Sequence, residues 1–400
     1  MTADSSKPKP DVIVAGHICL DIIPVLPKGT NCRELLLPGR LLQLGPALVS
    51  TGGPVSNTGL ALHKLGVPTQ LMAKVGDDVF GNAILDLVRR HDAALVEGMK
   101  VAAGESSSYS VVLTVPGIDR ILLHCPGCND TFSADDVDYD IASRARVFHF
   151  GYPPMMKQMY QQNGEELVRM MRRVKTGGVV TSVDMVMPDP DTDAGRADWT
   201  AILKQALPWV DLFLPSIEEM LLMLERDLFD QLAMRGGADG VLSVLAPQHF
   251  STMAERLLEM GSAVVALKAG HRGLYLRSAG PERIPPTFDS SVWAKRELWV
   301  PCFKSNVVGT TGSGDATIAG FLAGVLHDLG PVEAMTGAVA TGACNVEAAD
   351  ALGGIIPWSQ VQERIARGWE RLPLDINAEG WRFDARRDVW IGPKDGMAVN

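Results

Sequence analysis

Val307-Val308-Gly309-Thr310-Thr311-Gly312-Ser313-Gly314-Asp315-Ala316-Thr317-Ile318-Ala319-Gly320-Phe321-Leu322-Ala323-Gly324 decides the reading of this chain. A β-branched strand end runs into a glycine-rich turn and then into a helix of small residues. The first amides of a helix have no intrahelical partner, and the helix dipole makes that end favourable to anions. Glycines let the backbone come close to an anion and adopt turns closed to other residues. Gly312, Ser313 and Gly314 therefore read as a cradle for a phosphate or an oxyanion. Asp315 is not needed for anion binding there, because its own charge repels an anion. It either caps the helix or acts as a general base that takes a proton from an attacking hydroxyl while the cradle holds a transferring phosphoryl group. No Gly-Lys-Ser/Thr follows the glycines, so this is not a Walker A loop. The third glycine of the dinucleotide fingerprint is missing too, and the position is late for a first βα turn.

On the N-terminal side of this stretch, short apolar strands alternate with helical segments. Strands are expected at 11–16, 70–75, 147–150, 179–184, 212–215 and 264–268, with helices from Ser56 and at 79–90, 165–174, 199–207 and 218–224. This alternation argues for an α/β fold whose parallel sheet is covered on both faces. Residues 21–50 differ: Pro24, Pro27, Gly29, Pro38, Gly39, Gly45 and Pro46 break them into short extended pieces. Extended runs at 109–115 and 120–125 are joined by the hairpin signal Pro116-Gly117-Ile118-Asp119. The two stretches suit a small separate sheet covering a cleft. Residues 225–260 read as an inserted helical excursion, and 280–300 as an extended loop. The last 35 residues carry Trp369, Trp381 and Trp390, too aromatic for a free tail. We expect them to pack on the body or on a second subunit.

A formal net charge of −10 argues against a nucleic-acid partner, which needs a basic face. It leaves a small phosphorylated ligand open, since local donors and a metal outweigh the global field. No apolar run reaches the ~18 residues of a membrane span. The polar residues 1–10 lack the apolar core of a signal peptide and read as the flexible leader of a cytoplasmic protein. Cys125-Pro-Gly-Cys128, with His124 beside it, has paired spacing, but no second pair follows. The six cysteines therefore read as ordinary reduced thiols.

The stretch at 309–315 resembles the second signature of the ribokinase-like (PfkB) carbohydrate kinase family, commonly Asp-Thr-x-Gly-Ala-Gly-Asp. Thr310, Gly312, Gly314 and Asp315 match, and Ser313 is a mild change. Thr51-Gly52-Gly53-Pro54-Val55-Ser56-Asn57, with Leu65-Gly66 and Val75-Gly76-Asp77-Asp78-x-x-Gly81 after it, resembles the first signature. Ala15-Gly16 followed by Asp21 resembles the opening strand, and Pro126-Gly127-Cys128-Asn129 is similar to the Gly-Ala-Asn that follows the lid hairpin. The likeness spans roughly residues 11–365, with 366–400 as a C-terminal extension.

The resemblance implies a three-layer α/β/α sandwich around a mostly parallel sheet, a small β lid, and ATP with Mg²⁺ as cofactors. It implies Asp315 as base over the Gly312, Ser313 and Gly314 anion hole. Asp21, Gly52, Gly53, Asn57 and Asn129 are expected to bind the acceptor. Read alone, Asp21 also suits a turn at a strand end, Asn57 a helix N-cap and Asn129 a turn former. Lys268, Gly270, Gly273, Thr310 and Asn345 are expected on the nucleotide side, and Glu219 and Asp184 near the metal. Gly309 stands where the family carries Asp, so the resemblance does not extend to monovalent-cation binding. Ser216 replaces the usual Asn of the metal element, and Pro54 leaves no lysine in the substrate turn.

The expected activity is ATP-dependent phosphoryl transfer to a sugar hydroxyl. The alternatives are a nucleoside kinase of the same fold and a kinase-fold protein that binds without catalysis. Residues 21–50 contain no Phe, Tyr or Trp to stack a nucleobase, and the other hairpin offers only Tyr109. That favours a polyhydroxylated acceptor. Exposed lid edges lead us to expect a homodimer.

Overall fold

A computed structural model describes residues 9–31, 37–115 and 120–397. The leader residues 1–8, the lid residues 32–36 and the expected turn 116–119 lie outside the described residues.

The central sheet has ten strands, in the order Arg382–Asp384, Val389–Ile391, Glu297–Val300, Leu274–Ser278, Val264–Lys268, Leu212–Phe213, Val180–Asp184, Val147–Gly151, Val12–Gly16 and Thr69–Met72. From Val264–Lys268 to Thr69–Met72 every pairing is parallel, and from Val264–Lys268 to Arg382–Asp384 every pairing is antiparallel. The first strand is buried throughout, as β-branched Val12-Ile13-Val14 requires in a parallel sheet with both faces covered. Alternation sends Val12 and Val14 into one core and Ile13 and Ala15 into the other. The first core is filled by helices Pro54–Lys64, Ser313–Leu326 and Pro331–Asn345. The second is filled by Glu165–Thr176, Trp199–Ala206, Ile217–Leu224 and Pro247–Glu259. The result is the three-layer α/β/α arrangement.

The lid is a separate four-stranded sheet, ordered Leu48–Gly52, Cys19–Ile23, Tyr109–Leu113 and Ile121–Cys125. Among the described residues, 24–31 and 37–47 form no strand, which fits their prolines and glycines. No described helix is long and apolar enough to cross a membrane.

Two expectations change. Residues 280–300 are not all loop, because Glu297–Val300 is a fully buried strand of the main sheet. Glu297 opens it and is itself satisfied inside, accepting from Ser251 Oγ at 2.8 Å and Tyr275 Oη at 2.7 Å. A charged residue beside prolines hides such a strand from periodicity. The segment 225–260 divides in two: helix Arg226–Gly236 buries only Leu232, whereas Pro247–Glu259 buries Phe250, Met253, Ala254 and Leu257 as part of the outer layer. The residues beyond 366 add the two terminal strands, and Trp381 packs on Tyr275 and Trp299.

Candidate functional site

Helix Ser313–Leu326 starts at Gly312, whose left-handed φ of 71° turns the chain into it. A Cβ on Gly312 would stand 2.7 Å from that of Ala351, so conformation and space both demand glycine. No side chain caps this helix. Asp315 lies in its first turn, 2% exposed, and its carboxylate is engaged elsewhere. It accepts from Asn57 Nδ2 at 2.9 Å, from Thr58 Oγ1 at 3.3 Å, and from Tyr152 Oη at 3.0 Å to each oxygen. The capping reading of Asp315 is thereby excluded. Burial raises its pKa, while Asn57, Lys268, Tyr152 and Thr58 pull it down less strongly.

Asn57 is placed by the turn before it. Pro54 opens helix Pro54–Lys64 at its first position, and the Asn57 amide bonds back to the Gly53 carbonyl at 2.8 Å. Asn57 is thus inside the helix rather than its N-cap, and its side chain is free to reach Asp315. Gly52 leads into this turn opposite Cys19 on the neighbouring strand. A Cβ on Gly52 would stand 2.3 Å from Asp21 Oδ2, so glycine here makes room for the carboxylate. Asp21 lies within strand Cys19–Ile23, not at a turn, and burial raises its pKa against the pull of Cys19, Ser110 and Arg120. Arg120, in the lid, donates to Thr311 Oγ1 and so ties the lid to the glycine turn.

On the other side of the turn lies a cavity of about 480 Å³. Thr310, Ser313, Gly314, Lys268, Gly270 and Gly273 line it with Glu219 and the apolar side chains Val307, Val339 and Val346. A slightly larger cavity, about 550 Å³, lies at the opposite end of the sheet, between the starts of Val147–Gly151 and Val180–Asp184 and the end of helix Ser313–Leu326. It is remote from the glycine turn. We place the chemistry at the former, where polar groups converge.

Lys268 is not a solvated lysine. Its ammonium sits 2.5 Å from Asp184 Oδ1 and 2.8 Å from the Leu214 carbonyl. Its side chain passes Gly314, where an added Cβ would lie 3.6 Å from Lys268 Cε. Burial lowers the Lys268 pKa, but Asp184, Glu219 and Asp315 outweigh it and keep the ammonium charged. Glu219 caps its own helix with Ser216: Ser216 N donates to Glu219 Oε2 at 2.7 Å and Glu219 N to Ser216 Oγ at 3.2 Å. Burial raises the Glu219 pKa. Three acids thus cluster about one ammonium, burial raises the Asp184 pKa as well, and Asp184 and Glu219 are the carboxylates here that could hold a hydrated Mg²⁺. At Gly309 an added Cβ would lie 3.0 Å from the Ala348 carbonyl oxygen and 3.1 Å from that of Ala349, so this turn packs too tightly for an aspartate without adjustment.

Two expected residues spend their amides on neighbouring backbone. Asn129 is fully buried and spends its amide on Ile18, donating to the carbonyl at 2.9 Å and accepting from the amide at 3.4 Å. It pins the start of the lid. Asn345 donates to the Ala351 carbonyl at 2.7 Å and is not itself among the residues that line the cavity, although Val346 beside it is. It braces the loop against which Gly312 packs. Conversely, no motif pointed to Tyr152 or Thr58. Tyr152 directly follows strand Val147–Gly151, in Gly151-Tyr152-Pro153-Pro154, with a left-handed φ of 63°, a backbone state a tyrosine holds only when its surroundings enforce it.

A model of the pfkB family of carbohydrate kinases matches residues 10–357. An uncharacterized sugar kinase of Archaeoglobus fulgidus is 27% identical over 270 residues, covering 67% of this chain and 86% of that protein. Fructokinase-2 of Oryza sativa subsp. japonica is 23% identical over 332 residues, 82% of this chain and 83% of its own. In fold, the chain is similar to an Escherichia coli protein named ribokinase II and solved with ATP and Mg²⁺. The TM-score is 0.64 at 19% identity, over 90% of this chain and 99% of that one.

Proposed function

Because the chain belongs to the pfkB family of carbohydrate kinases, we propose that it transfers the γ-phosphoryl group of ATP to a hydroxyl of a small polyhydroxylated acceptor, a sugar. The placement of Asp315 carries this reading: a carboxylate of raised pKa at a helix N-terminus, with a nucleotide-sized cavity on one side and Asn57 and the Gly52-Gly53 turn on the other. In this scheme the acceptor's hydroxyl proton passes to an Asp315 oxygen. Its oxygen bonds to the γ-phosphorus, and the bond from that phosphorus to the β–γ bridging oxygen breaks, releasing ADP. The amides of Gly312, Ser313 and Gly314 hold the migrating group, where fixed dipoles stabilise developing charge. A raised pKa suits a base that must take up a proton near neutral pH. Lys268, Gly270, Gly273 and Thr310 border the nucleotide. Mg²⁺, held through water by Asp184 and Glu219, would neutralise phosphate charge.

The acceptor side favours a sugar. Asp21 and Ser110 stand opposite each other in the lid and offer a carboxylate and a hydroxyl, groups that pair with alcohols. Tyr109, the aromatic residue expected in this hairpin, packs instead on Phe80 at 5.1 Å between ring centres. The fructokinase relative supports the same class of acceptor. Apolar Leu48, Val49, Leu122 and Leu123 are exposed on the two edge strands of the lid and supply the surface for a homodimer.

ADP release with ATP and Mg²⁺ across a panel of sugars and nucleosides tests the proposal. We expect turnover of at least one sugar and none of the nucleosides. A folded, ATP-binding protein silent on every sugar would mean that the chain binds without catalysing, and a preference for nucleosides would move the acceptor class.

A further inference from the structure

Three side chains that phosphoryl transfer does not use meet where the lid joins the main sheet. His17 follows strand Val12–Gly16, Cys19 opens the adjoining lid strand, and His124 lies in strand Ile121–Cys125. One ligand atom from each lies within 4.8 Å of the other two. Strand register sets the row: Asp21 is opposite Ser110, and Ser110 is opposite His124. Cys19, two residues before Asp21, shares the same face.

The separation of the two imidazoles is informative. Their Nε2 atoms stand 3.4 Å apart. A hydrogen bond from an N–H group spans about 2.7–3.2 Å, so this pair makes a poor one. Two imidazole nitrogens on one tetrahedral zinc, each at about 2.0–2.1 Å, stand about 3.3 Å apart. Burial, with His124 adding, lowers the His17 pKa to about 3, and burial lowers that of His124. His124 Nδ1 lies 2.9 Å from Ser110 Oγ, a contact that fixes the ring and leaves Nε2 turned toward His17. The Cys19 sulfur is buried, 3.4 Å from Asp21 Oδ1. Burial and Asp21 raise its thiol pKa, and a metal bound there would take the place of the thiol proton.

We propose that His17, Cys19 and His124 form a binding site for a borderline-soft divalent transition-metal ion of the zinc type, with the Asp21 carboxylate or a solvent molecule as fourth ligand. Two imidazoles and one thiolate are a zinc donor set, and they do not suit Mg²⁺. Binding releases the Cys19 proton to solvent and changes no oxidation state. Cys125-x-x-Cys128 takes no part, since Cys128 Sγ instead lies 3.2 Å from the Lys74 carbonyl oxygen. If Asp21 binds the acceptor, as the kinase reading has it, zinc at this site competes with the acceptor and not with ATP.

The test is titration of the metal-free full chain with Co²⁺ in excess Mg²⁺, without nucleotide or acceptor, so that its outcome is independent of the kinase reading. We expect one equivalent to bind, with the strong visible bands of tetrahedral cobalt and a sulfur-to-cobalt charge-transfer band. Cys19→Ser should remove the charge-transfer band, and Cys125→Ser should leave it unchanged. Ser110→Ala keeps all three ligands and should still weaken binding by about tenfold or more. Absence of the band at one equivalent overturns the proposal, as does its persistence in Cys19→Ser or its loss in Cys125→Ser.

Discussion

Tyr152 donates to both oxygens of Asp315 from a left-handed backbone position, so its hydroxyl sets how readily that carboxylate holds a proton. Removing it in Tyr152→Phe takes away an interaction that lowers the Asp315 pKa. The acidic limb of the kcat profile should therefore move to higher pH, while the alkaline limb stays in place. An unmoved acidic limb contradicts Asp315 as the titrating base. Stability carries a second signature. Burial raises the folded-state pKa of Asp315 above its unfolded value of about 3.9. Its contribution to stability is fully present below the unfolded value and is lost as pH rises through the folded one. Asp315→Asn removes that loss, so the Tm of the variant minus that of wild type should increase from about pH 4 to pH 7. A difference flat with pH would show that the carboxyl is not perturbed. The placement of Asp315 and Asn57 is legible in the sequence because their backbone setting, a glycine turn before a helix, is itself written in residues. Asn129 and Asn345 are not, since an asparagine in a motif looks the same whether its amide meets a ligand or a carbonyl. Tyr152 was invisible for the complementary reason: only the tertiary fold brings it to Asp315.

Helices Ser313–Leu326 and Pro331–Asn345 pack through glycine. A Cβ on Gly320 would lie 2.6 Å from the Gly337 carbonyl oxygen and 2.5 Å from Thr341 Oγ1. Gly320→Leu should destabilise the protein by about 1–3 kcal/mol, the usual cost of overpacking, read as a lower urea midpoint. An unchanged midpoint would mean that the helices separate freely. At the lid, Gly52→Ala would drive a methyl into Asp21. Losing a hydrogen bond to a charged group costs about 1.5–3 kcal/mol, so the acceptor KM should rise at least about tenfold while ATP affinity holds. Equal effects on both substrates would place Asp21 outside the acceptor site. The strand–helix alternation was legible because long apolar elements carry their own periodicity. Glu297–Val300 was not, because four residues opened by a buried glutamate present no pattern. Nor was the lid's strand order, which brings Cys19–Ile23 beside Tyr109–Leu113 across almost ninety residues of sequence.

The whole molecule is closed at one edge by its C-terminal segment. Arg296 and Asp395 form an ion pair at 2.8 Å with side chains 3% and 2% exposed, and Asp395 also accepts from the Glu297 amide. The tryptophans near the C-terminus show that this segment packs, but not that it extends the sheet, since Val389–Ile391 is only three residues long. Asp395→Ala leaves a buried guanidinium unpaired and should cost about 3–5 kcal/mol. A loss under ~1 kcal/mol would class the pair with exposed bridges.

The most direct measurement is single-turnover phosphoryl transfer by Asp315→Asn beside its ATP affinity. A positioned base contributes about 10²–10⁴-fold, so the rate should fall by that factor while ATP binds as in wild type. A variant that transfers phosphate at the wild-type rate contradicts the account.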